Sequence, residues 1–153
     1  MAMPDPFTLK HRPVVLIPYD RYDGPYAGDT DCLYLSVGWA QYDPRAVSVK
    51  SLRHTGPNEP AGRWSRQSEE LPVHRAIDLT LLAAIALQAT AEGEAEVSPG
   101  TFENQPEPIR VRPRFTSESE RRVFLSLLGD EMNKRRLSVL RQTLNGLADA
   151  GVL

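Results

Sequence analysis

The stretch from Ala76 to Ala91 does most to limit what this chain can fold into. It is 16 residues long, apolar on nearly every side from Ala76 to Leu87, and interrupted by Asp78 and Gln88. A spanning helix needs about 20 apolar residues, so this segment is too short and too polar to cross a bilayer. It reads as a buried helix, and a helix apolar all round calls for a sheet on one side and a second layer on the other. Ser68 is a natural N-cap, and Glu69 and Glu70 fall in the first turn, where the helix dipole favours them. Pro72 is tolerated there because first-turn amides lack helical partners, and Gly93 marks the end.

The rest of the chain supplies the sheet. Residues 1–12 are polar and proline-punctuated, an N-terminal arm, and PVVLIP (13–18) is a short apolar run between prolines, a buried or protected edge strand. YDRYDGPYAGDTD is a loop by its Gly24, Pro25 and Gly28. Leu33, Leu35, Val37 and Trp39 then alternate with Tyr34, Ser36, Gly38 and Ala40. With a turn at Asp43-Pro44 and Val47 and Val49 beyond it, residues 33–53 form an antiparallel hairpin. Residues 92–108 hold five glutamates, three prolines and no basic residue, and read as a mobile acidic loop. IRVRPRF (109–115) alternates strictly and, given Pro113, is an edge strand.

Ser117–Leu128 is an amphipathic helix, and after Gly129 and Asp130 the last helix carries Met132, Leu137, Leu140, Leu144 and Leu147 in a narrow stripe. The expected architecture is one α+β domain over 13–153. A small, mostly antiparallel sheet of about four strands packs on a long buried helix, with a C-terminal helical hairpin over 117–150, its stripe packed within the core.

Charge sorts the possible functions. Eighteen Lys and Arg against twenty Asp and Glu give −2, which excludes a polybasic protein held to nucleic acid by counterion release. Resolved along the chain, residues 110–141 carry nine basic and four acidic side chains, +5, so the remainder is −7. Arg110, Arg112 and Arg114 on one strand face, with Arg121 and Arg122, offer a phosphate-binding surface for a nucleotide or nucleic acid, or else a solvated face paired with the acidic loop. Few aromatics interleave with them, so base stacking is not supported. Cys32 is the one cysteine, which excludes an internal disulfide framework, suits a buried small side chain and fits a reducing cytosol. The opening MAMPDPFTLKHRP has no apolar core, so no secretory signal is expected.

Two clusters carry candidate chemistry. Glu70, His74 and Asp78 are four residues apart and share one helical face. They read as a general base, His74, oriented by Asp78 or Glu70, or as a salt-bridge lattice with Arg66 and Arg75. A metal site is weakly signalled, with one histidine and no H-E-x-x-H pair. Asp20, Asp23, Asp29 and Asp31 crowd the early loop but miss the calcium-loop spacing, and turn chemistry accounts for most of them. Tyr19, Tyr22 and Tyr26 there form either a wall for a planar ligand or a packed rim.

The second cluster is the helix start, where Ser65, Arg66 and Gln67 follow Trp64 and would donate to an anion. Tyr19, Asp20, Asp31, His54, Trp64, Ser65, Arg66, Gln67 and Arg75 are expected to converge at one end of the sheet as a polar pocket for a small anionic or nucleotide-like ligand. The alternatives are a metal-dependent hydrolase or phosphodiesterase with His74 as base, and an interaction module that pairs through the C-terminal hairpin, with another copy or another protein. The sequence specifies no cofactor.

LKHRPVVLIPYDRYDG, the later DTD, RHTG and WSRQSEELPVHRAIDL together resemble an uncharacterised bacterial domain-of-unknown-function family, over roughly residues 9–80. The resemblance implies a small bacterial cytosolic protein and brings no assigned activity or cofactor with it.

Overall fold

The computed structural model describes residues 5–54, 64 and 73–153. Three strands, β1 (Arg12–Pro18), β2 (Cys32–Trp39) and β3 (Val47–Arg53), form an antiparallel sheet in the order β1-β2-β3. Val37 lies opposite both Val15 and Val49. The apolar run of β1 sits at an edge, with Pro13 and Pro18 near its ends, where a missing amide donor costs least. Gly38 is required by the β1 crossing. A Cβ there would lie 2.2 Å from the carbonyl oxygen of Arg12.

The alternation in β2 holds with one correction. The pairing with β3 shifts register between Cys32 and Tyr34, and the irregularity turns Cys32 rather than Leu33 into the core beside Leu35, Val37 and Trp39.

Helix α1 (Val73–Glu92) packs on β2 and β3 and ends at Gly93, whose φ of +95° suits glycine. Its buried stripe of Arg75, Leu79, Leu82, Ala86 and Ala89 follows the helical period. The opposite face is not covered as a helix apolar all round was expected to be. Val73 and Ile77 are 77% and 55% exposed, so among the described residues α1 packs on the sheet and on the later segments Ala95–Val97 and Glu118–Leu128 but keeps one face open at its start. Ser68, Glu69, Glu70 and Pro72, the expected start, lie outside the described residues.

The sheet of about four strands is corrected to three plus a separate antiparallel ribbon, β4 (Ala95–Val97) with β5 (Ile109–Val111). Pro113 stops β5 after three residues, and Arg114 donates one backbone bond, 3.0 Å, to Val14 of β1 instead of extending a ladder. The acidic segment 92–108 thus contributes β4, and it also buries Phe102 and Gln105. The Gln105 side chain accepts from the Phe102 amide at 3.1 Å and donates to the Glu107 carbonyl at 2.7 Å.

Ser117 caps α2 (Glu118–Leu128) by accepting from the Glu120 amide, and Phe124 from this helix is fully buried against the rings of Trp39 and Phe115. Asp130 caps α3 (Glu131–Asp149). The helical hairpin is not formed. The two helices meet at a two-residue joint, where Asn133 donates to the Leu127 and Leu128 carbonyls, but α3 does not pack along α2. Phe124, Leu127 and Leu128 of α2 pack on the core and not on the leucines of α3, and Val123 stays half-exposed. No residue of α3 is buried. Among the described residues no helix is long and apolar enough to cross a membrane.

Candidate functional site

The loop after β1 is tied to itself by backbone bonds, Tyr26 to Asp23 at 2.9 Å, Gly28 to Asp20 at 2.8 Å and Asp29 to Tyr26 at 3.0 Å. Gly24 closes the turn at φ +52°. The result aims Asp23 inward, where it is fully buried. Its carboxylate accepts from the Thr30 hydroxyl, from His74 Nε2 at 2.9 Å, and from Arg75 Nε at 3.3 Å and Nη2 at 2.5 Å. Burial alone would raise the Asp23 pKa, but the bonds from Arg75, Thr30 and His74 hold it below the ordinary carboxylate value. Arg75, also buried, shows the converse: burial works against its charge, and Asp23 more than restores it. The two charges compensate each other, as a buried pair must.

His74 sits at the edge of this cluster with 30% of its side chain exposed. Its ring lies on Gly24, where a Cβ would come within 3.2 Å of the imidazole, and beside the half-exposed ring of Tyr26 at 5.8 Å. An ionised carboxylate can only accept, so the neutral imidazole carries its proton on Nε2 and leaves the Nδ1 lone pair unused by Asp23. That arrangement can accept a hydrogen bond from a ligand, or take a proton from one.

One turn along, the buried Tyr19 hydroxyl donates to the carboxylate of Asp78. Burial raises the pKa of both groups, and for Tyr19 the neighbouring Asp78 adds to it. The side chain that orients His74 is therefore Asp23, and Asp78 holds Tyr19.

The other expected residues separate from this cluster. Asp31 pairs with Arg53, whose Nε lies 2.7 Å away, and the Asp31 carbonyl accepts from the His54 amide. His54 bridges to Trp64. Trp64 meets Tyr34 edge-on at 6.1 Å and donates from Nε1 to the Asp5 carbonyl at 3.4 Å. Tyr34 neighbours the core residue Leu35 on β2, so Trp64 lies across the sheet from α1. Asp20 is half-buried, with its carbonyl holding the loop. Ser65, Arg66, Gln67 and Glu70 lie outside the described residues.

Among the described residues no group of three His, Cys, Asp or Glu side chains is placed to hold a metal ion. The thiol of Cys32 is buried and pushed up to about 12, chiefly by burial, which suits a packed side chain and not a nucleophile. Of the arginines read as a phosphate surface, Arg112 pairs with Glu94, Arg114 lies over the Phe7 ring, and Arg121 binds Glu118 and the Thr90 carbonyl. Arg110 and Arg122 are exposed.

A second buried polar group went unnoticed in the sequence. His11 is enclosed, with Nε2 2.9 Å from the Ser36 hydroxyl and Nδ1 3.2 Å from that of Ser48. Burial, helped by the charge of Lys50, lowers its pKa to about 4. Neither Asp23 as the partner of His74 nor Thr30 as a donor to Asp23 was singled out. The one available signal was the Asp23-Gly24 turn, which does not say which of four loop aspartates points inward.

A protein-family model, described as a family of unknown function (DUF6530), matches residues 1–109. No curated protein and no solved structure matches the chain.

Proposed function

The chain belongs to the DUF6530 family of unknown function, and from the chemistry of its own site we propose a small binding protein that takes a nucleotide-like ligand at His74. The observation that carries the reading is a partly exposed imidazole fixed through Nε2 on the buried Asp23, with Tyr26 beside it. The planar part of the ligand lies against Tyr26, and a donor group on its edge meets Nδ1 of His74. Arg75 acts behind them, by keeping Asp23 ionised and in place. The proposal carries with it a bacterial cytosolic setting, for which the sequence resemblance and the one buried thiol speak.

Isothermal titration with a panel of nucleosides and nucleoside monophosphates tests it. Binding heat is expected for the parent chain, with a loss of up to about tenfold in affinity for Tyr26→Ala, the scale of one aromatic contact. His74→Ala should weaken binding without lowering the melting temperature much, because its Asp23 partner keeps Arg75 and Thr30. No heat and no thermal shift across the panel would sink the proposal.

A second reading has an observation of its own. A buried carboxylate orienting an accessible histidine is also the pair that general-base hydrolysis uses, with Nδ1 drawing the proton from water. It is distinguished by turnover that disappears in His74→Ala while ligand affinity persists.

A further inference from the structure

Helix α3 is long, ordered in sequence and covered by nothing among the described residues. Every residue from 139 to 153 is exposed. In proteins most helical stability comes from packing of an amphipathic face and not from propensity, so a 19-residue helix like this gains from something laid along it. It lies beyond residue 109, where the family match ends, and adds nothing to the core.

Its pattern says what fits. Leu137, Leu140, Leu144 and Leu147 repeat in steps of three, four and three, the a and d positions of a heptad, which makes one continuous seam. Leu140, Leu144 and Leu147 are 38%, 44% and 37% exposed. An open groove of about 590 Å³ runs along Met132, Arg135, Arg136, Val139, Leu140 and Thr143, beside the start of the seam.

Charge is segregated along the helix. Lys134, Arg135, Arg136 and Arg141 lie in the first part with a single acid, Glu131, which pairs with Lys134 at 3.2 Å, and after Arg141 the one charged residue is Asp149. A parallel pair would set Arg136 at position g against Arg141 at position e of the next heptad, twice. An antiparallel pair avoids this. Lys134 comes opposite Ala148 and beside Asp149 of the other helix, Arg136 comes opposite Ala150, and Thr143 meets its own copy. One like-charged contact remains, Arg141 with its own copy at the two-fold axis, on the exposed rim where screening makes it cheap. The two helix dipoles also oppose each other.

We propose that α3 is a self-association element, through which two copies of the chain pair as antiparallel helices along the Leu137–Leu147 seam. Leu137 of one copy packs against Leu147 of the other, and Leu140 against Leu144, so that one patch meets itself, as two-fold symmetry demands.

Sedimentation equilibrium on the full chain tests the pairing. The expected mass at high concentration is twice the 17.1 kDa of the chain, and Leu140→Glu with Leu144→Glu should return it to a single copy with the β-sheet signal intact. Orientation is read from disulfide trapping. A mixture of Leu137→Cys and Leu147→Cys chains should cross-link across the two variants, and Leu137→Cys alone should not. The native Cys32 is fully buried and does not interfere. A chain that stays a monomer at every concentration, or a dimer that survives the double glutamate variant, overturns the proposal. Cross-linking of Leu137→Cys to itself overturns the antiparallel arrangement. A monomer that instead gains mass with an acidic amphipathic peptide overturns self-pairing in favour of a different partner.

Discussion

At the scale of single residues, two buried histidine-bearing clusters behave in opposite ways. His74 touches a carboxylate and solvent, whereas His11 touches only hydroxyls and is closed off. With a folded pKa near 4 against 6.5 in the unfolded chain, His11 stays neutral in the native state while the unfolded state takes up a proton. Stability from this group is therefore fully present above pH 6.5, falls as the pH drops toward 4, and is constant below that. The total is about 3 kcal/mol. Denaturant unfolding across that window should show the decline, and His11→Gln, which keeps a hydrogen-bonding side chain, should flatten it. Equal slopes in the two chains would rule His11 out as the cause. Neither histidine's partners could be read from sequence. Ser36 and Ser48 lie 25 and 37 residues from His11, and Asp23 lies 51 from His74, so only the fold brings them together. What was legible is that His74, Arg75 and Asp78 belong to one neighbourhood, because helical spacing alone puts them near each other.

At the scale of elements, alternation and capping carried most of the reading. The hairpin over 33–53, the Gly93 stop and the break at Gly129 and Asp130 between α2 and α3 all follow from residues adjacent in sequence. The features that escaped depend on pairing partners. The irregularity that turns Cys32 inward is set by where β3 lies, and β4 is three residues inside a segment whose glutamates and prolines argue for a loop. The core role of α2 rests on one ring. Phe124 has no exposed surface and stands edge-on to both Trp39 and Phe115. Phe124→Ala should cost about 3–5 kcal/mol, the range for truncating a buried aromatic. A loss under 1 kcal/mol by chemical denaturation would mean that the sheet does not depend on α2 for closure.

At the scale of the molecule, the chain divides into a body with a core and an appended helix without one. The body runs from β1 through α2, closed by Val15, Leu35, Leu82, Phe102 and Phe124. Removal of residues 131–153 should therefore leave its melting temperature within a degree or two of the parent, while the helical signal in circular dichroism falls. A body that melts much earlier would mean that α3 stabilises it in some other way. The site at His74 draws on the loop after β1 and on α1, both inside the matched family region, so binding and pairing should respond to separate substitutions.

The joint between α2 and α3 has a mechanical side. Gly129 is wedged where an added Cβ would stand 3.0 Å from both the Leu125 carbonyl oxygen and the Leu87 side chain. At 1.5 Å per residue α3 reaches about 28 Å beyond that fulcrum, so a tilt of only about 10° at the joint swings its tip by about 5 Å. A methyl group at position 129 would act on the far end of the molecule as a thumb acts on a tiller.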